Sequence, residues 1–225
     1  MSIDVLVVAP HPDDETLGCG GTILHHVDQG DRVHWLIMTR ITTEMGFSLE
    51  RVNERSIEIE NVASSYGFSS VHKADFATTQ LDQYSKKELI SVVSKVITLL
   101  QPEIIYVPFR NDVHSDHEAV FDAVASCSKS FRYPFIKNLR AYETLSETEF
   151  SIRPANESHF TPNLWIDVSR FIEKKIEIME MYKGEMGKHP FPRSEKNIRA
   201  LSTFRGAFAG VEAAEAFMNL IEIVK

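Results

Sequence analysis

The stretch Val5-Leu6-Val7-Val8-Ala9-Pro10-His11-Pro12-Asp13-Asp14-Glu15-Thr16 decides how the chain is read. Its first five residues form an unbroken apolar run, as expected of a strand covered on both faces. A helical pattern follows at once over 16–29, closed by Gly30. Between strand and helix stand a histidine and three acids within five residues. In parallel α/β sheets ligands bind beyond the carboxyl ends of the strands, where this turn falls. Acids at a helix start also serve to offset the helix dipole and cap free N–H groups. That role accounts for Asp14 or Glu15, but it calls for neither His11 nor two adjacent carboxylates.

Strand and helix patterns alternate outward from this turn. Extended runs are expected at 33–39, 71–74, 104–107, 139–143 and Leu164–Asp167. Helices are expected at Leu49–Tyr66 with Gly67 as its stop, at 85–100, and at 116–129. Three more helices are expected at 169–182, 194–202 and 211–224. The order predicts an α/β fold, Rossmann-like, with a mostly parallel sheet flanked by helices. No linker, repeat or low-complexity tract divides the 225 residues, so 1–225 reads as one domain.

The net charge of −8 leaves no electrostatic footprint for nucleic acid or an anionic membrane surface, although a local basic pocket stays open. No apolar run reaches the length of a membrane span or a signal sequence. The two cysteines, Cys19 and Cys127, lack metal-binding spacing and read as buried thiols in a reducing, cytoplasmic setting. Gly18-Cys19-Gly20-Gly21 lacks dinucleotide-loop spacing and lies within the first helix, which implies close backbone packing. His189-Pro190-Phe191-Pro192-Arg193 reads as a rigid connecting loop, able to bring Arg193 to an anionic group.

A second polar cluster, Arg110-Asn111-Asp112-Val113-His114-Ser115-Asp116-His117, follows the run 104–107. In a doubly wound sheet that strand lies beside the first one, so the two clusters face each other across one crevice. Together they supply two or three imidazoles and a carboxylate, which suits a catalytic zinc with an open water position. Such a metal acidifies its water to a pKa of about 7 and polarises a carbonyl. One spare carboxylate can take the water's proton, and one spare imidazole can stabilise an oxyanion or protonate a leaving amine. Spacing does not decide which of Asp13 and Asp14, or of His114 and His117, is the spare. The same donors also suit Fe²⁺.

The segment from Ala9 to Glu15 with its following glycines resembles the opening motif of the PIG-L/LmbE-like deacetylases. His114-Ser115-Asp116-His117 matches that family's second motif. Arg55 to Gly67 is similar to its first long helix, and Ala214-Glu215-Ala216-Phe217 to its C-terminal signature. The resemblance implies zinc-dependent removal of an N-acetyl group from an N-acetylglucosamine-type sugar or conjugate. It also implies His11, Asp14 and His117 as metal ligands. Asp13 is then the general base, and His114 stabilises the oxyanion or acts as acid. Arg40 resembles a substrate-contacting arginine, and Glu44 stands for an acidic turn residue of the family. Asp112 is expected near substrate or behind an imidazole. The family's turn glycine is missing from Thr39-Arg40-Ile41-Thr42-Thr43-Glu44, so this loop departs from the pattern.

The implied partner is a small amino-sugar substrate, and a homo-oligomer is compatible with the sequence. An amidase for a larger amide, such as a thiol conjugate or an acylated antibiotic, is the alternative. A non-catalytic metal- or sugar-binding protein would be expected to lack Asp13 or His114, yet both are present. Loops 40–49, 78–84 and 142–161 are expected to set specificity.

Overall fold

A computed structural model describes residues 2–152 and 158–224; of the expected specificity loop 142–161, residues 153–157 lie outside the described residues. A seven-stranded sheet runs through the middle in the order β3-β2-β1-β4-β5-β7-β6. Strands β1 (Asp4–Ala9), β2 (Arg32–Arg40), β3 (Ser70–Ala77), β4 (Ile104–Pro108) and β5 (Asn138–Tyr142) pair in parallel. Strand β7 (Ala214–Glu222) runs antiparallel to both β5 and β6 (Leu164–Asp167). The mostly parallel, Rossmann-like sheet expected from the sequence is therefore present.

Residues of β1 alternate between two cores. Val5, Val7 and Ala9 pack with α1 (Asp14–Asp28), α2 (Leu49–Tyr66), α5 (Ile172–Met179) and α6 (Glu195–Ala209). Leu6 and Val8 pack with α3 (Lys86–Leu100) and α4 (Ser115–Ser126) on the other face. A strand apolar at every position is what two covered faces require. Cys19 and Cys127 are buried free thiols, one in each core.

The C-terminal stretch corrects one expectation. Residues 211–224 were expected to form a helix, but Ala214–Glu222 is a strand. Its Ala, Glu, Met and Leu residues favour helix by only tenths of a kcal/mol each. Two hydrogen-bonded ladders and the burial of Ala214 to Phe217 outweigh that preference.

The glycines of α1 serve packing, as expected. A Cβ on Gly18 would stand 2.2 Å from a ring carbon of Tyr142, whose hydroxyl donates to the Val8 carbonyl at 2.9 Å. The helix is thereby seated close against the sheet, with its first residue at the exit of β1. Strand β4 lies beside β1 at the point where the strand order reverses, so the loops after both strands open on the same crevice.

Candidate metal centre

The turn after β1 is held from several sides. The Pro10 carbonyl accepts the Thr39 N–H at 3.1 Å and the Thr39 hydroxyl at 2.8 Å. Arg55 donates to the Pro12 carbonyl at 2.8 Å. Asp13 takes a φ of 142°, a conformation costly for a side-chain-bearing residue. Its N–H donates to Glu15 Oε2 at 3.1 Å. Buried Glu15 also accepts the Tyr182 hydroxyl at 2.7 Å. Burial pushes its carboxyl up to about 7, while these donors hold it from rising further. Strain fixed by so many contacts is a feature of ligand sites.

His11, Asp14 and His117 bring one ligand atom each to within 4.8 Å of one another. Asp14 Oδ2 lies 3.2 Å from His11 Nδ1 and 3.4 Å from His117 Nε2. Each imidazole is oriented from behind by a carboxylate. His117 Nδ1–H donates to Asp112 Oδ2 at 2.7 Å, and His11 Nε2–H to Asp116 Oδ2 at 3.1 Å. The opposite nitrogens, His117 Nε2 and His11 Nδ1, are thus left as electron-pair donors toward Asp14. His117 is fully buried, and its Nε2 has no hydrogen-bond partner. A buried nitrogen aimed at a carboxylate and a second imidazole, with no bond of its own, fits a cation between them.

The electrostatics agree. Burial disfavours a charged His11, but Asp116 and Asp14 outweigh it and raise the imidazole to about 9. His117 is raised in the same way by Asp14 and Asp112 against its burial. Asp14, despite burial, is drawn well below the carboxylate range by the two imidazoles. The metal-free cluster thus holds protons where a cation would stand.

A second grouping, His11, His114 and Asp116, also meets the distance condition. Both Asp116 oxygens and His114 Nδ1 are already engaged. Asp116 Oδ2 accepts the Thr79 N–H at 2.7 Å as well as His11, and Oδ1 accepts the Leu81 N–H at 3.0 Å. His114 Nδ1 accepts the Asp116 N–H at 3.1 Å. The first grouping is therefore the better holder of a metal.

Beside the cluster opens a cleft of about 450 Å³, lined by His11, Asp13, Asp14, His114 and Arg40 among others. The structure brings together all five residues of the two expected motifs, with His117 beneath the floor. Burial, then the adjacent Asp14 charge, raises Asp13 well above the usual carboxylate range. Burial and the positive His11 push His114 down to about 4. Glu44 and Asp112 stand elsewhere. Glu44 is exposed on the turn Thr43–Met45, outside the cleft wall. Asp112 is buried behind His117 and also accepts the Thr148 hydroxyl at 2.7 Å.

Three wall residues, Arg55, Glu147 and Glu185, carried no usable signal in the sequence. Arg55 on α2 and Arg193 on the loop before α6 both bond the Glu185 carboxylate, the latter at 3.1 Å. Glu147 lines the cleft from the other side, its carboxyl raised by burial. Arg193 had been singled out in the sequence, and it does reach the cleft.

Fold and site together define an α/β protein with a three-residue cluster that could hold a metal at the switch point of its sheet. The chain belongs to the PIG-L family, whose model, described as GlcNAc-PI de-N-acetylase, matches residues 6–128. It is 26% identical over 223 residues to the diacetylchitobiose deacetylase of Thermococcus kodakarensis, covering 94% of this chain and 80% of that one. The N,N′-diacetylchitobiose deacetylase of Pyrococcus horikoshii, solved with an inhibitor, shares the fold at a TM-score of 0.75 and 22% identity, over 98% of this chain and 84% of that one. A 4-carboxy-2-hydroxymuconate hydratase of Pseudomonas putida matches at a TM-score of 0.75 and 18% identity, over 100% and 98%. One fold thus carries more than one reaction, and the reaction of this chain has to be argued from its site.

Proposed function

We propose that the whole chain is one catalytic domain, a zinc-dependent hydrolase that removes the acetyl group from an N-acetylglucosamine-type sugar or sugar conjugate. The observation that carries this reading is the unbonded, buried Nε2 of His117, converging with His11 and Asp14 at the foot of a cleft edged by Asp13 and His114. Family membership and the deacetylase relative support the same reaction class.

His11 Nδ1, Asp14 Oδ2 and His117 Nε2 would hold the metal. Two nitrogens and one oxygen suit Zn²⁺, with Fe²⁺ as the other fit. The metal, when bound, supplies Lewis acidity toward a carbonyl oxygen and toward water.

Asp13 is the general base. Its raised pKa gives it real affinity for a proton taken from the attacking water. His114 is an oxyanion donor. Its Nδ1 accepts the Asp116 N–H, so the neutral ring carries its proton on Nε2. Burial and the neighbouring positive charge keep that ring neutral at pH 7, and a metal in place of the protons would act in the same direction. Asp112 and Asp116 act through the rings they orient, and Asp112 is reassigned here from substrate contact to that role. Arg40 remains a candidate substrate contact; Glu44, outside the wall, does not.

The test is acetate release from a panel of N-acetyl amino sugars by metal-replete protein. Chelation should abolish release and Zn²⁺ or Fe²⁺ should restore it. Release of a larger acid from bulky amides, with none from the panel, would favour the amidase alternative. Metal binding without any amide cleavage would leave only the non-catalytic reading.

A further inference from the structure

The side chain of Asp13 has nothing of its own to hold it. Its carboxylate gives α1 no cap and makes no hydrogen bond or ion pair among the described residues. Its aim into the cleft therefore comes from the backbone, at a φ of 142° that a residue with a Cβ leaves unless it is held. The holding is concentrated on one peptide unit, the one between Pro12 and Asp13. Its carbonyl accepts Arg55 Nη1 at 2.8 Å, and its N–H donates to Glu15 Oε2 at 3.1 Å. Both polar ends of the unit are taken, so it cannot rotate to relieve Asp13 without breaking a bond.

Each holder is itself held. Glu15 Oε1 accepts the Tyr182 hydroxyl at 2.7 Å and the Thr16 hydroxyl at 2.5 Å, and Thr16 in turn accepts the Tyr66 hydroxyl at 3.0 Å. Glu185 takes the Arg55 guanidinium through one oxygen and Arg193 through the other, the latter at 3.1 Å. Tyr182 and Glu185 are the two ends of one turn, Tyr182-Lys183-Gly184-Glu185. The Glu185 N–H donates to the Tyr182 carbonyl at 3.2 Å, and Gly184 takes the left-handed φ of 82° that closes the turn. Its middle is docked on α2, where the Lys183 N–H donates to Glu58 Oε1 at 3.2 Å and the Lys183 carbonyl accepts from Arg51 at 3.1 Å. This turn, with Tyr182 lying 167 residues along the chain from Glu15, thus reaches the same peptide from both of its ends.

Resting on Asp13 as the base of the reaction above, we infer that Tyr182 and Glu185 are positioning residues: acting through Glu15 and Arg55, they clamp the Pro12–Asp13 peptide and so aim the Asp13 carboxylate. Glu185 also lines the cleft, whereas Tyr182 is fully buried and lies outside the wall, which makes Tyr182 the cleaner probe. Tyr182→Phe deletes one hydroxyl and leaves Glu15 the Thr16 hydroxyl and the Asp13 N–H as donors.

The experiment measures acetate release by metal-replete protein carrying Tyr182→Phe, Glu185→Gln or both, each with Asp13 intact and in the Asp13→Asn background. With Asp13 intact, each single variant should lower kcat about tenfold and the pair about a hundredfold, with metal content unchanged and the KM of Tyr182→Phe within about twofold of wild type. In the Asp13→Asn background the same substitutions should cost nothing further, because the group they aim is gone. A crystal structure of the double variant should show Asp13 out of its positive φ and its carboxylate displaced. Full kcat in both single variants, or an equal loss with and without Asp13, overturns the inference. So does a double variant whose Asp13 keeps its φ, or single variants that lose their metal. Full activity in Asp13→Asn would remove the base itself, and the inference with it. Absence of acetate from wild type counts against the deacetylase reading instead, and the Asp13 conformation in the double variant then decides the clamp by itself.

Discussion

Two buried charged groups sit on the first helix less than two turns apart, and they have opposite characters. At its start, Asp14 faces two imidazoles, and the buried Nε2 of His117 has no hydrogen bond. Further along, Glu215 of β7 accepts the N–H groups of Gly21 and Thr22 at 2.8 Å each and the ammonium of Lys175 at 2.7 Å. Lys175 also donates to the Leu17 carbonyl at 2.8 Å. The second group is closed, since every charge has its partners inside the protein. The first is open by one ligand. Burial and charge alone do not mark a functional centre; the incomplete bonding of an otherwise rigid cluster does.

The contrast can be broken from either side. The largest effect is expected at the open group. Asp13→Asn should lower kcat by about 10²–10⁴-fold, the usual worth of a positioned base, with metal content by elemental analysis unchanged. In wild type the base must be ionised, and burial raises its pKa. Activity should therefore fall as pH drops through a value above the ordinary aspartate figure of about 3.9. That acid limb should be missing from the residual Asn activity. A retained limb would place the base elsewhere.

The closed group should answer in stability instead. Lys175→Met leaves a buried carboxylate without its cation, and the cost is expected to be about 3–5 kcal/mol in denaturant unfolding. A loss well under 1 kcal/mol would mean that the two backbone amides alone satisfy Glu215. The smallest effect is expected one residue behind the metal. Asp112→Asn should weaken metal affinity by about 10–100-fold in a chelator competition, because the amide no longer fixes the His117 ring as the carboxylate does. Unchanged affinity would make the contact incidental.

Much of this was legible in the sequence. The sheet, the switch point and the five residues of the centre were readable because each motif is local and sits at the end of a strong apolar run. The division of Asp13 from Asp14 and of His114 from His117 was not. Spacing leaves each pair interchangeable, and the carboxylates that orient His117 and His11 from behind are a matter of three-dimensional placement. Strand β7 was misread because its residues favour helix in isolation, while its pairing partners lie far upstream. Arg55, Glu147 and Glu185 were silent for a related reason. They come from a helix and two separate loops, and only the finished fold puts them around one cleft. Glu44, read by analogy, lies on the exposed turn Thr43–Met45 outside the cleft wall, where the loop lacks the family's glycine.

The bond from Glu215 to the amides of Gly21 and Thr22 spans 194 and 193 residues of chain. A polypeptide made from its N-terminus exposes the first helix long before the carboxylate that completes it is synthesised. Contacts of such long sequence separation form late and slowly. During synthesis the turn after β1 and the helix behind it therefore wait, incompletely bonded, for β7 to enter between β5 and β6. Maturation of the centre is thus timed by a strand far downstream of both motifs, and a nascent chain cut short before β7 carries both motifs without the clasp on the first helix.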